Sequence, residues 1–415
     1  MKIIHITASY KPAYIYGGPI QSVGKLCEAL ERIKDQGAKS KEQRAKTKGQ
    51  ELKCKEQGSK IKDSLQVFTT TANGTEELDV EIGKPLIVDG VSVTYFNRWT
   101  KDHSHFSPSL LKSLRNEILR CTQDDNLIIH IHSWWNLVSV LSCLIAKFYN
   151  IPVVLSPRGM LTSYTQHNRN TFLKKTLHHL VGKKLLSYCH IHATSEQEEK
   201  EILKIAQPKS ITIIPNLVKL RGKKPQEKNL DSDVIEKLNL IFLSRIEEKK
   251  GLPLLFNALA ILDISWSLTI AGSGEPDYVD SLKLIVKSLE ISDRIKWIGQ
   301  IEDDKKFDLM AAHDLLVLTS YNENFANVVI ECLSVGTAVL ISDKVGLADY
   351  VTSKDFGWVT PLDIHDIKNS ILAAYYNREK LLRISNSAPT AMEVDYNDEI
   401  LVNRYLSMYK STLNV

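Results

Sequence analysis

The sequence predicts an α/β protein of two domains, each a parallel sheet covered by helices, on three observations. Short runs rich in Ile and Val alternate with helical stretches, the pattern left by strand, crossover helix and parallel strand. The alternation occurs twice, on either side of a polar stretch without an apolar face, Lys219 to Asp233. The length of 415 residues exceeds one ordinary domain and suits two of about 200.

The first series opens with a buried strand in Met1 to Ile6. It continues with Leu65 to Thr70, Val91 to Tyr95, Leu127 to His132, Val153 to Leu155, His190 to Thr194 and Ser210 to Ile214. One helix start is well marked, with Ser107 as cap and Pro108 in the first turn ahead of Leu110, Leu111 and Leu114. The second series is Leu238 to Leu243, Leu268 to Ala271, Ile295 to Ile298, Leu315 to Leu318 and Ala338 to Ile341. These runs place a first domain at 1–216, a linker at 217–236 and a second domain at 237–392, with a C-terminal helix at 393–415 expected to pack back toward the first domain.

Composition excludes several classes. An apolar fraction of 43% and a charged fraction of 25% are ordinary for a soluble globular chain. No apolar run reaches the roughly 18 residues of a spanning helix; the longest, Leu137 to Ala146, stops at Lys147. The N-terminus lacks the apolar region and cleavage site of a secretory signal, so a cytoplasmic location is expected. Six scattered cysteines without C-x-x-C spacing read as reduced thiols.

The net charge of +4 is concentrated in one place. Between Arg32 and Lys62 stand eleven Lys or Arg against four Asp or Glu, so the rest of the chain is slightly acidic and no nucleic-acid partner is implied. This segment, an insert at 32–63, is a degenerate seven-residue repeat almost without apolar positions. That argues against a coiled coil and leaves a solvated helix or a disordered insert, with binding to a polyanion as the other reading.

In open parallel sheets ligands bind beyond the carboxyl ends of the strands. Unusual residues collect there: Arg245, Gly272-Ser273-Gly274, Gly299-Gln300 and Ser320 to Asn327 in the second domain, His132-Ser133 and Ser156 to Gly159 in the first. Two such crests facing each other would form an interdomain cleft. The most specific signal is Glu323 to Glu331, two glutamates separated by seven residues in a loop that runs into an apolar helix. A helix start near Asn327 would direct free amides at an anion, and flanking carboxylates suit sugar hydroxyls. A solvated helix start with ordinary acidic residues is the alternative. Arg245 and Lys250 offer a planar fork and a mobile point charge suited to a diphosphate; an ordinary surface charge cluster has the same spacing.

Together these segments resemble the retaining GT-B glycosyltransferases of glycosyltransferase family 4, the glycosyl transferases group 1. The resemblance rests on Tyr10-Lys11-Pro12 with Gly17-Gly18-Pro19, Ile129 to Ser133, Ser156 to Leu161, Ala193 to Glu196, Ile214-Pro215-Asn216, Arg245 with Lys250-Gly251, Ala271 to Gly274 and the two-glutamate motif. Ser156 to Leu161 and Ala193 to Glu196 resemble segments of a polysaccharide-assembling branch. The chain departs from the family pattern at Ser244 and Ala326, where glycine is usual, and at Leu217-Val218 after Pro-Asn.

The resemblance implies two Rossmann-like domains facing a cleft and hexosyl transfer from a nucleoside-diphosphate sugar to a hydroxyl of a polysaccharide or lipid-linked oligosaccharide, with retention. It assigns the leaving diphosphate to Arg245 and Lys250 and the transferred sugar to Glu323. Asn324, Phe325, Ala326 and Asn327 take the phosphates and their neighbourhood, and Glu331 the ribose. Gly17, Gly18, Gly272 and Ser273 belong to donor binding, His132 to the reacting centre, or to a merely hydrogen-bonded strand end, and Arg158 to the acceptor side. Arg245, Lys250 and Glu323 are expected to matter for turnover rather than folding.

His130 and His132 share one strand face, but no third and fourth ligand stand at zinc-like spacing, so neither metal nor cofactor is expected. The basic amphipathic stretch Phe172 to Leu186 reads either as peripheral contact with the inner face of the cell membrane or as an ordinary surface helix. A sugar-nucleotide epimerase on the same fold, or a silent nucleotide-sugar-binding scaffold, are the competing functions.

Overall fold

A strand covered by helices on both faces has no solvent side to alternate toward, so its residues are apolar in succession. The computed structural model shows this directly in β1 (Lys2–Ile6) and β7 (Leu127–His132), where the last four residues of β1 and all six of β7 are buried. It describes residues 1–47, 65–121, 126–162, 182–221, 237–301 and 304–413. Most of the basic repeat, the linker from 222 to 236 and residues 172–181 of the expected basic helix lie outside the described residues. The chain forms two units, Met1–Leu217 with Asp398–Val415, and Val218–Asn397.

In the first unit, β1 is followed by α1 (Gly18–Thr47), which carries helix well into the basic insert. Then come β2 (Leu65–Thr70), a small hairpin β3 (Ala72–Asn73) and β4 (Glu76–Glu77), β5 (Pro85–Val88), β6 (Val91–Phe96), α2 (Pro108–Arg120) and β7. The series ends with α3 (Leu137–Phe148), β8 (Val153–Ser156), α4 (Lys183–Leu186), β9 (His190–Ala193), α5 (Glu196–Ile205) and β10 (Ser210–Ile213). Ser107 caps α2 by accepting from the Leu110 amide, with Pro108 in the first turn. Among the described residues the sheet order is β10-β9-β8-β7-β1-β2-β6-β5, parallel except for the β5 edge, which pairs antiparallel with β6. β5 escapes the sequence pattern because it is short, begins with Pro and alternates exposed with half-buried residues.

The second unit runs β11 (Leu238–Leu243), α6 (Leu252–Ala260), β12 (Trp266–Ala271), α7 (Pro276–Ser288), β13 (Ile295–Gly299), α8 (Lys305–Ala311) and β14 (Leu315–Leu318). It closes with α9 (Asn327–Ser334), β15 (Ala338–Ser342), α10 (Ala348–Lys354), β16 (Gly357–Thr360), α11 (Ile364–Tyr376) and α12 (Arg378–Asp395). Its sheet order, β13-β12-β11-β14-β15-β16, is all parallel and doubly wound. The chain reverses direction across the sheet between β11 and β14, the switch point at which such sheets bind ligands. The last strand, β16, was absent from the sequence reading because Gly357-Trp358-Val359-Thr360 lacks a Val/Ile run.

Helix α13 (Asp398–Leu413) belongs to the first unit and is tied to its sheet by a chain of buried hydrogen bonds. Its proton directions follow from one end. His192 Nε2 must donate to the Ile214 carbonyl (2.7 Å), so its Nδ1 accepts from Ser156 Oγ (2.7 Å). Ser156 in turn accepts from His130 Nε2 (2.7 Å), and His130 Nδ1 accepts from Tyr409 on α13 (2.7 Å). Every histidine in this chain is neutral. Burial holds His192 down at about 3 and His130 well below its ordinary value, and does the same to the adjacent His132 and to His5, at about 3.

The unfolded chain binds protons at these four positions below pH 6.5, whereas the folded chain does not until far lower pH. Their contribution is therefore present above pH 6.5 and lost as pH falls. Urea unfolding should lose about 1.4 kcal/mol per buried histidine between pH 7.5 and 5.5. A flat stability profile over that interval would refute the neutral assignment.

Candidate active site

At the switch point of the second unit two loops are fastened backbone to backbone. Gly251, left-handed with φ 67°, sits so close to Thr319 that a Cβ would lie 2.1 Å from the carbonyl oxygen. Thr319 Oγ1 donates to the Gly251 carbonyl (3.1 Å), and the Tyr321 amide to Lys249 O (2.8 Å). This fastening sets Lys250, from the loop after β11, against Glu323, from the loop after β14, in a hydrogen-bonded ion pair. Glu323 is fixed by its own backbone: its amide donates to Lys344 O (3.2 Å) and its carbonyl accepts from Gly346 (2.8 Å).

Burial alone would raise the Glu323 carboxyl, but the charges of Lys250, Lys249 and Arg245 outweigh it and hold the group below its ordinary value. For Lys250 burial is the larger effect and lowers the ammonium pKa against the pull of Glu323. Arg245 is partly exposed, with Glu247 at 2.6 Å on one side of its fork. The three strand ends β11, β12 and β13 are likewise zipped together. Gly272 (φ 144°) would place a Cβ 1.9 Å from Ser244 O, its amide donates to Gly299 O (2.8 Å), and Ile246 N donates to Ser273 O (2.8 Å). Gly272 and the exposed Ser273 therefore border the same crest as Arg245.

Helix α9 starts at Asn327, with Ala326 at its N-cap in a left-handed conformation, φ 63°. Alanine offers no capping side chain, and the first amides of a helix lack intrahelical partners. Asn324 and Asn327 are half-buried and Phe325 is buried. Glu331 lies one turn in, buried, and accepts from Lys306 Nζ on α8 at 2.9 Å. This buried pair offsets the Glu331 charge, so a carboxylate can stand near an anion site.

In the first unit Gly17 (φ 71°) leads directly into α1, which begins at Gly18. His132 is fully buried. Its Nδ1 faces the Arg158 guanidinium (3.4 and 3.5 Å), a group that can only donate, so Nε2 carries the proton and gives it to His5 Nδ1 (2.9 Å). A ring without accessible surface and with both nitrogens engaged fits the alternative reading of His132, a hydrogen-bonded strand end, rather than contact at the reacting centre. Sequence spacing offers no third ligand beside His130 and His132, but the fold brings one from another strand. The register of β1 against β7 places His5 opposite His130, and nitrogens of His5, His130 and His132 lie within 4.8 Å of one another. The donor set does not suit a cation: His130 is bonded to Ser156 and Tyr409, His132 to His5, and the positive Arg158 faces the cluster.

Comparison with known proteins decides the family. The profile of the glycosyl transferases group 1 matches residues 225–391, and that of glycosyltransferase family 4 matches residues 62–221. The chain belongs to glycosyltransferase family 4. It is 23% identical over 313 residues to an uncharacterized glycosyltransferase of Methanocaldococcus jannaschii, covering 69% of this chain and 76% of that one. It is 24% identical over 177 residues to the N-acetyl-alpha-D-glucosaminyl L-malate synthase of Bacillus anthracis, a match that spans 42% of this chain and 45% of that relative. In fold it is similar to Anabaena HepE in complex with UDP and glucose, with a TM-score of 0.70, 18% identity and 99% and 100% of the two chains covered.

The structure accounts for one departure from the family pattern. Ala326 stands where this glycosyltransferase family usually has glycine, at a backbone position that favours glycine. Lys306 was missed by sequence reasoning. It sits among Asp304, Lys305 and Asp308 and reads as solvated, yet it is four residues before Met310 and therefore on the face that α8 buries with it.

The expectation that Lys250 is dispensable for folding is revised by its burial. Lys250→Met should cost about 3–5 kcal/mol by stranding the Glu323 charge, and adding Glu323→Gln should restore most of it. Chemical unfolding of the single and double variants checks this; equal losses in both would exclude the pair as the cause. Ala326→Gly should raise stability by about 1 kcal/mol through relief of left-handed strain, read as an upward shift in the urea midpoint.

Proposed function

We propose that this glycosyltransferase moves a hexosyl group from a nucleoside-diphosphate sugar to a hydroxyl of a polysaccharide or lipid-linked oligosaccharide, with retention of configuration. The observation that carries the reading is the Lys250–Glu323 pair with Arg245 beside it at the doubly wound switch point. As the bond from the sugar carbon to the diphosphate oxygen breaks, negative charge grows on the departing oxygen. The acceptor hydroxyl bonds to that carbon and its proton passes to the leaving diphosphate.

Arg245 and Lys250 would meet the growing charge. One cation about 4 Å away is worth roughly 4 kcal/mol at an effective dielectric of about 20. Two fixed cations neutralise a diphosphate without a metal, and metal independence is part of the proposal. Glu323, kept ionised by its neighbours, would accept sugar hydroxyl hydrogen bonds and stabilise positive charge at the sugar carbon. Gly272, Ser273, the Asn324 to Asn327 segment and Glu331 would hold the rest of the donor, with Gly17 and Gly18 allowing close backbone approach. HepE was captured with UDP and glucose, which makes a UDP-hexose the first donor to test.

The acceptor side and peripheral contact with an anionic membrane belong to the same proposal. Among the described residues no helix is long and apolar enough to cross a membrane. In α4, the described end of the basic stretch, Lys183 and Lys184 face solvent while Leu185 and Leu186 enter the core.

The test measures thermal stability, UDP binding and transfer from labelled UDP-hexoses together. Arg245→Ala should lower transfer by about 10²- to 10³-fold at nearly unchanged stability. Glu323→Gln should retain UDP binding and lose transfer. Products distinguish transfer from epimerisation of the donor, and near-native transfer in both variants would remove the assignment from this site.

A further inference from the structure

We propose that Arg158, in the loop after β8 and bonded to Ser22 of α1, binds an oxyanion, phosphate or carboxylate, carried by the sugar acceptor. The proposal rests on the glycosyl-transfer reading and adds the chemical class of the acceptor. Arg158 is charged and partly buried, yet among the described residues its guanidinium meets no carboxylate. Its partners are Ser22 Oγ at 2.8 Å, Asn216 Oδ1 at 3.1 Å and His132 Nδ1 at 3.4 Å. All three are neutral acceptors, the histidine because burial keeps it so. A guanidinium in a neutral cage is aimed without being neutralised, and of its five N–H donors one, on Nη2, is left over by these contacts.

The backbone is committed to this placement. Arg158 has φ 52° and Gly159 φ 76°, and a non-glycine residue held there stores about 1–3 kcal/mol, as functional sites do. The neighbouring acidic side chain, Glu198, is spent on locking the loop: it accepts from the Gly159 amide (2.8 Å), the Thr194 amide (2.8 Å) and Thr194 Oγ1 (2.9 Å). Ser22 is the fifth residue of α1, and its hydroxyl accepts from Arg158 while donating to the Pro19 carbonyl (3.2 Å). The residue is partly exposed, so a ligand can reach it. The donor diphosphate already has Arg245 and Lys250 in the other unit, which leaves the Arg158 charge for a second anion.

The experiment uses the full chain with inorganic phosphate and, separately, UDP, read by thermal shift and calorimetry. Phosphate should stabilise the wild type and Arg245→Ala alike, and Arg158→Gln should weaken its binding by about tenfold or more. The UDP shift should survive Arg158→Gln. No phosphate shift in the wild type, an undiminished shift in Arg158→Gln, or a shift abolished by Arg245→Ala overturns the proposal. Loss of the UDP shift in Arg158→Gln assigns the anion to the donor and overturns the acceptor assignment. Should Arg158→Gln unfold, Arg158→Lys keeps the charge without the contacts that aim it and must show weakened phosphate binding. A wild type that ignores UDP but responds to phosphate through Arg158 would refute the nucleotide reading alone.

Discussion

The second unit is organised by one ion pair. Lys250 and Glu323, 73 residues apart in the chain, come from loops after strands that are neighbours in the sheet, and each offsets the other's desolvation. A buried pair is weak as a source of net stability but costly to break, so it acts as a constraint on geometry. The constraint reaches outward. Lys250 is where it must be because Gly251 lets two backbones approach as no other residue could, and Glu323 because its own amide and carbonyl are tied to the loop after β15. The result is a cluster in which Arg245, Lys249 and Lys250 stand against Glu323 and Glu247, and preorganised charge of that kind is what stabilises developing charge.

Much of this was legible in the sequence, and what was not has identifiable causes. Arg245 stands out because it closely follows a buried apolar run, Lys250 through its spacing from Arg245, and Glu323 and Glu331 through their separation by seven residues in a loop that runs into an apolar helix. Lys306 did not, since a lysine among acidic and basic neighbours carries no local sign of burial; only the period of α8 shows it, through Met310. The β5 edge and β16 were lost for a related reason: edge strands are short and half-exposed, and their pairing is decided by neighbours far away in sequence.

The histidine cluster shows the limit more sharply. Period-two spacing puts His130 and His132 on one face, which invites a metal or a catalytic base. Neither reading can be weighed until the register of β1 brings His5 alongside and the loop after β8 brings Arg158. A sequence gives the residues of one strand face; the charge of a site is set by what the adjacent strands add to it. Here the addition is a guanidinium, which fixes the tautomer of His132 and removes it from the surface chemistry.

The same cluster explains why so many polar groups can be buried in the first unit without loss of order. His192, Ser156, His130 and Tyr409 form a chain of directional bonds whose direction is imposed by the carbonyl of Ile214 at one end. Reversing any one proton would leave two donors facing each other farther along, so the arrangement has a single low-energy state. A hydrophobic core of equal volume would hold α13 against the sheet but would not select its rotation. The polar chain does, because Tyr409 must present its hydroxyl to His130, and Tyr405 its own to His192 at 3.0 Å. Specificity of that kind keeps β7, β8 and β9 in a common register with the C-terminal helix, and with them the loop that aims Arg158.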